Sequence, residues 1–60
     1  IICEAPKMQS YIKQMIANIA DDCMCDLSNV NIKATSTEKL GFIGRSEGVA
    51  AQAICLIETV

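Results

Sequence analysis

Residues 33–48 read Lys-Ala-Thr-Ser-Thr-Glu-Lys-Leu-Gly-Phe-Ile-Gly-Arg-Ser-Glu-Gly, and the chemically capable side chains of this 60-residue chain concentrate there. The stretch holds all three glycines, the only phenylalanine and the only arginine. Thr35, Ser36 and Thr37 put three hydroxyls in a row, followed at once by Glu38 and Lys39. Two readings fit. Hydroxyls at a strand end, followed by the free N–H groups of a helix start, make a site for phosphate oxygens, and Glu38 suits a magnesium-type ion bridging them. Thr35 and Glu38 also match the S/T-x-x-E capping box, in which the same residues only start a helix. The P-loop and G-x-G-x-x-G patterns are both missing, so neither common nucleotide motif decides between them. Lys7 is a second oddity: a cation in the first turn of a helix opposes its macrodipole unless an anion binds there.

These residues need a scaffold, and composition bounds it. At this length a chain buries only about 60% of the surface its unfolded form exposes, so one small domain is the most it can build. Five Lys and Arg against seven Asp and Glu give a net charge of −2, which argues against a nucleic-acid partner. A hydrophobic content of 52% argues against disorder. No apolar run approaches the ~18 residues of a membrane span, so no membrane partner is expected. With no histidine, the commonest zinc ligand and general base are both absent. Four cysteines do not make a zinc site either, because Cys23 and Cys25 are one residue apart and no C-x2-4-C pair exists. Reduced structural thiols in an intracellular compartment are the expectation. Both ends open or close inside apolar runs, Ile1-Ile2-Cys3 and Ile54-Cys55-Leu56-Ile57, and the chain reads as part of a larger protein.

Periodicity supplies the elements. Residues 1–4 read as a short strand, ended by Pro6, which disfavours a helical Ala5 and suits a first helical turn. Met8, Ile12, Met15, Ile16, Ile19 and Cys23 recur at helical spacing and predict an amphipathic helix over about residues 7–22. Asp26 to Asn29 is a polar connection. Val30, Ile32 and Ala34 alternate with Asn31, Lys33 and Thr35, the pattern of a half-buried strand. Residues 49–60 fit either a buried strand or an Ala-rich helix; the strand–helix–strand opening favours a strand. The expected architecture is α/β, of the α+β ferredoxin-like type. It is a mixed sheet with helices on one face, to which residues 1–60 supply a β-α-β-turn-β portion.

Read as strings, Glu4-Ala5-Pro6-Lys7-Met8, Val30 through Phe42, Gly44-Arg45 and Glu47-Gly48-Val49-Ala50 resemble the 2-C-methyl-D-erythritol 2,4-cyclodiphosphate synthase family. The K-A-T-[ST]-T-E-K-L-G-F block is the most specific part, and the resemblance covers the C-terminal part of that family's chain. It implies a lyase of non-mevalonate isoprene biosynthesis. The substrate would be a cytidine diphosphate derivative, 4-diphosphocytidyl-2-C-methyl-D-erythritol 2-phosphate, cyclised with release of CMP. It further implies metal binding: zinc on an Asp-x-His pair and a further His expected upstream, and magnesium or manganese as the second ion. A homotrimer is implied as well, with a central cavity for an isoprenoid diphosphate, in a bacterial cytoplasm or a plastid-type organelle. Alone, the chain is expected to be inert.

Residue by residue, the resemblance assigns the cytidine pocket to Cys3, Glu4, Ala5, Pro6, Lys7, Met8 and Gln9, with Lys7 near the phosphates. Thr35, Ser36, Thr37 and Glu38 match the segment that cradles the diphosphate, and Glu38 matches the ligand of the second metal ion. Ser36 stands where the family usually has a threonine whose hydroxyl stabilises the transition state, which makes it the catalytic candidate. Phe42 and Arg45 match substrate-contact positions. Glu4 departs from the usual glutamine, Ile43 from a threonine and Ser46 from a glycine. The rival readings are a non-catalytic nucleotide- or phosphate-binding module and a structural interaction fragment. CMP ordered at residues 3–9 would exclude the structural reading, and an upstream D-x-H metal site would separate enzyme from binder.

Overall fold

Apolar side chains spaced three and four residues apart build one substantial helix. The structure, a computed structural model, describes residues 1–59. A 3-10 turn at Gln9–Tyr11 runs directly into α1, Ile12–Cys23. The predicted start at residue 7 is therefore two residues early. The row Ile12, Ile16 and Ala20 faces the rest of the chain; the isoleucines are half-buried and Ala20 is 3% exposed. Ile19 and Cys23, expected on the same face, are exposed instead, because they lie off that i, i+4 row. A 3-10 turn at Leu27–Asn29 and a one-turn helix α2, Gly41–Gly44, complete the helical elements among the described residues.

α1 ends on a Schellman motif. Met24 is left-handed, at φ 53° and ψ 47°. Its N–H reaches the Asp21 carbonyl at 3.1 Å, and the Cys25 N–H reaches Ala20 at 3.0 Å. These two bonds satisfy carbonyls that the last turn would otherwise leave open. Glycine is the usual residue there, and a side chain in this region costs roughly 1–2 kcal/mol.

Ile2 joins the chain's distant parts. It pairs in parallel with Thr35 and antiparallel with Ala50, so three extended segments lie side by side with residues 1–3 in the middle. Burial alternates from Val30 to Thr35 as the sequence predicts: Val30, Ile32 and Ala34 are half-buried, and the residues between them are exposed. Each pairing is a single bridge. The strand expected over residues 49–60 pairs only at Ala50, and residues 51–59 are exposed; Val60 lies outside the described residues. Beyond Ala50 no other segment among the described residues takes its backbone hydrogen bonds, and a strand requires such a neighbour. Cys55, within this stretch, is exposed.

Little is enclosed. Among the described residues, Cys3 and Ala20 are the only buried apolar side chains. The accessible surface is 5462 Å², against about 3,800 Å² for a compact protein of this mass. The radius of gyration is 13.8 Å, where about 10 Å is usual for the length.

Two substitutions test this description. Met24→Gly relieves the left-handed strain at the end of α1 and should raise the melting temperature by about 4–8 °C, equivalent to about 1 kcal/mol. An unchanged or lower melting temperature would contradict it. Gly44 packs against the Lys39 backbone so closely that a Cβ would sit 2.6 Å from the Lys39 Cα and 2.8 Å from its carbonyl oxygen. Gly44→Ala should therefore lower stability by about 2 kcal/mol or more, read as the urea midpoint; a midpoint equal to the parent's would show that the loop gives way freely.

Candidate functional site

Parallel pairing decides where the site forms. Cys3 N–H donates to the Thr35 carbonyl at 3.0 Å, and Thr35 N–H donates to the Ile1 carbonyl at 3.0 Å. Both segments therefore run out at the same end, where residues 4–9 and residues 36–39 leave side by side. The carboxyl ends of parallel-paired segments are where loops converge on ligands in α/β proteins. A cleft of about 330 Å³ lies there. Cys3, Glu4, Pro6, Lys7, Met8 and Gln9 form one wall, and Ala34, Thr35 and Ser36 the other, with Ile1 between them. The two stretches that sequence reasoning singled out 30 residues apart thus meet in one cavity.

The first wall is shaped by a tight turn after Cys3. The Cys3 thiol lies 3.6 Å from the Ala5 carbonyl and 3.5 Å from that of Pro6, and the Ala5–Pro6 peptide is cis. One carboxylate oxygen of Glu4 is buried with no hydrogen-bond partner. The Lys7 side chain is exposed at the rim and gives the cleft a cation.

The three hydroxyls of the second wall are not equivalent. Thr35 Oγ1 donates to the Ser36 carbonyl at 3.1 Å, and Thr37 Oγ1 donates to the Leu40 carbonyl at 2.7 Å. A carbonyl only accepts, so both threonine protons are committed. Ser36 Oγ instead accepts from the Glu38 N–H at 3.2 Å. Its own proton stays available for an acceptor in the cleft.

The capping-box reading of Thr35–Glu38 fails. Glu38 and Lys39 have φ of 55° and 65°, which no helix start allows. They are instead the central residues of a turn closed by the Leu40 N–H to the Thr37 carbonyl at 3.0 Å. Positive φ at both centres is the I′ pattern, which usually takes Asn or Gly. The helical turn follows later, at Gly41.

Ala5, Thr37, Glu38, Phe42 and Arg45 do not line the cleft. Glu38 is exposed beyond Ser36, and its carboxylate makes no hydrogen bond or ion pair among the described residues. Arg45 is paired with Glu47, Nε to Oε2 at 2.6 Å, in the open, where such a pair contributes little. The Phe42 ring lies over Gly48, where a Cβ would be 3.3 Å from it.

Ile1 and Ala34 were missed in the sequence; both sit beside the Ile2–Thr35 bridge, a pairing that local pattern does not reveal. Also missed is a second groove of about 400 Å³ along α1, lined by Pro6, Met8, Tyr11, Gln14, Met15 and Asn18. Its signal was the recurrence of Met8, Tyr11 and Met15 on one helix face, which reads equally well as core.

The donor set can be tested against the metals implied by the resemblance. No group of three or more Cys, Asp or Glu converges among the described residues, and the chain has no histidine, so a zinc site does not fit here. A single free carboxylate does suit magnesium or manganese, which take one or two carboxylates together with substrate phosphates. No helix among the described residues is long and apolar enough to cross a membrane.

Comparison with known proteins covers nearly all of the chain. The model of the YgbB family matches residues 1–58. The 2-C-methyl-D-erythritol 2,4-cyclodiphosphate synthase of Actinobacillus pleuropneumoniae serotype 7 (strain AP76) is 60% identical over 57 residues, 95% of this chain and 36% of the relative. The protein of the same name from Glaesserella parasuis serovar 5 (strain SH0165) is 61% identical over 57 residues, 95% of this chain and 34% of that protein. That of Methylobacillus flagellatus is 57% identical over 58 residues, 97% of this chain and 36% of the relative. The chain thus spans about a third of the length of the curated relatives it matches. With the family model matching from Ile1 to Glu58, the chain belongs to the YgbB family.

Proposed function

We propose that this chain is the C-terminal, nucleotide- and phosphate-facing part of a 2-C-methyl-D-erythritol 2,4-cyclodiphosphate synthase, and that it is inactive alone. The observation that carries this reading is the cleft. Lys7 and the uncommitted Ser36 proton meet there, in a chain about 60% identical to proteins of that name. The enzyme would be a lyase of isoprene biosynthesis. The substrate's 2-phosphate attacks the β-phosphorus of its diphosphocytidyl group, the P–O bond to CMP breaks, and an eight-membered cyclic diphosphate closes.

Both reacting groups are anions, so the task is positioning and charge neutralisation. The wall from Cys3 to Gln9 would hold the cytidine, and Lys7 would offset phosphate charge. Ser36, fixed from behind by the Glu38 N–H, would donate to the oxygen on which charge develops. Glu38, at the open edge, would hold magnesium or manganese, which shares that charge with the zinc of the upstream part. Phe42 and Arg45 would contact substrate only after their loop meets a further chain segment.

The same reading includes the α/β architecture and the assembly. A parallel pairing spanning α1, with an antiparallel partner on the other side, supports a mixed sheet with helices on one face. The unenclosed apolar surface supports the homotrimer, whose central cavity would take an isoprenoid diphosphate. The bacterial relatives support the cytoplasm over a plastid-type organelle.

The deciding experiment uses the full-length protein. Ser36→Ala should lower turnover by about 2–4 kcal/mol of transition-state stabilisation, while Ser36→Thr, which keeps the donor, stays near the parent. Wild-type turnover in the alanine variant would remove Ser36 from the chemistry. Glu38→Gln should reduce turnover and the response to added magnesium while leaving CMP affinity unchanged. CMP affinity falling in step with turnover would show that Glu38 belongs to the base pocket instead.

A further inference from the structure

Away from the cleft, the carboxyl end of α1 gathers donors that the proposed reaction does not use. Cys23, Met24 and Cys25 place three sulfur side chains in succession. Both thiols are free and exposed, and Met24 is 92% exposed. The backbone beneath them is held: the bonds from Met24 N–H to Asp21 and from Cys25 N–H to Ala20 close residues 23–25 into one fixed turn. Residues two apart have Cα atoms at most about 7.6 Å from each other, within reach of a single ion through two side chains.

The surroundings select among the things a thiol pair can do. The last turn carries the negative end of the helix dipole, and Asp21, Asp22 and Asp26 are exposed around it. Together these make the local field negative. It draws a cation, which takes the thiolates by displacing their protons. The absence of any converging group of three Cys, Asp or Glu among the described residues leaves no tetrahedral zinc set. Two thiolates suit a soft ion satisfied by few ligands.

We propose that Cys23 and Cys25 form a binding site for copper(I) at the carboxyl end of α1. On binding, each thiol releases its proton to solvent, two bonds form from sulfur to copper, and no electron is transferred; the occupied pair carries a charge of −1. The site is separate from the cleft and does not depend on the function proposed for it.

The test is titration of the intact, reduced protein, without oxygen, against copper(I) held by a chromophoric chelator, with silver(I) as a redox-inert second probe. The parent should withdraw copper(I) with release of two protons per ion bound at this site. Cys23→Ser combined with Cys25→Ser should weaken that binding by on the order of 100-fold or more. Cys55→Ser, which removes another exposed thiol, should leave it intact. Met24→Gly, which keeps both thiols and eases the turn, should also leave it intact and so separates loss of ligands from loss of fold. Parental affinity in the double serine variant would overturn the proposal. So would loss in the Cys55→Ser or Met24→Gly variant, or zinc binding as tight as copper(I).

Discussion

Four backbone hydrogen bonds around Ile2 tie together segments far apart in the chain. Two run between Ile2 and Ala50, at 2.7 and 2.9 Å, and two between Thr35 and the residues flanking Ile2, at 3.0 Å each. Remove them and the cleft loses the register that sets residues 4–9 against Thr35 and Ser36. Because the Ile2–Thr35 pairing is parallel, it also fixes which end of the molecule receives the departing loops. The position of the cleft is thus a consequence of strand direction, settled before any functional side chain is considered.

The turn after Thr35 shows how neighbouring residues of one chemical type acquire different roles. Thr35, Ser36 and Thr37 carry the same functional group, yet two of the three have spent their proton on a carbonyl of the loop itself. The left-handed Glu38–Lys39 pair produces this inequality. It turns the Glu38 N–H back onto Ser36, and it is held by the closing Thr37–Leu40 bond and by the close approach of Gly44. Such strain is commonly kept where geometry matters more than stability.

Legibility in the sequence followed the range of the interaction concerned. The existence of α1 was readable because its apolar rows are local, and the alternation from Val30 to Thr35 was readable for the same reason. The residues of both cleft walls were readable as chemistry, although their meeting depends on one pairing between residues 33 positions apart. The left-handed turn was not readable. Glu and Lys carry no preference for it, and the capping-box match at Thr35 and Glu38 pointed to a helix instead. The end of the chain was ambiguous for a different reason. Ala51 to Thr59 has the composition of a buried strand, but composition states what a segment needs rather than what stands beside it.

That uncovered stretch also bears on the chain's fate in a cell. Ile54, Leu56 and Ile57 are each at least 90% exposed, on backbone that makes no hydrogen bond among the described residues. An uncovered, unpaired apolar segment of this kind pairs readily with further strands and aggregates. It is also the kind of surface by which holdases and proteases recognise unfinished proteins. The cellular lifetime of this chain would therefore be set by how quickly residues 51–59 are covered, and its steady-state abundance would report on assembly rather than on synthesis.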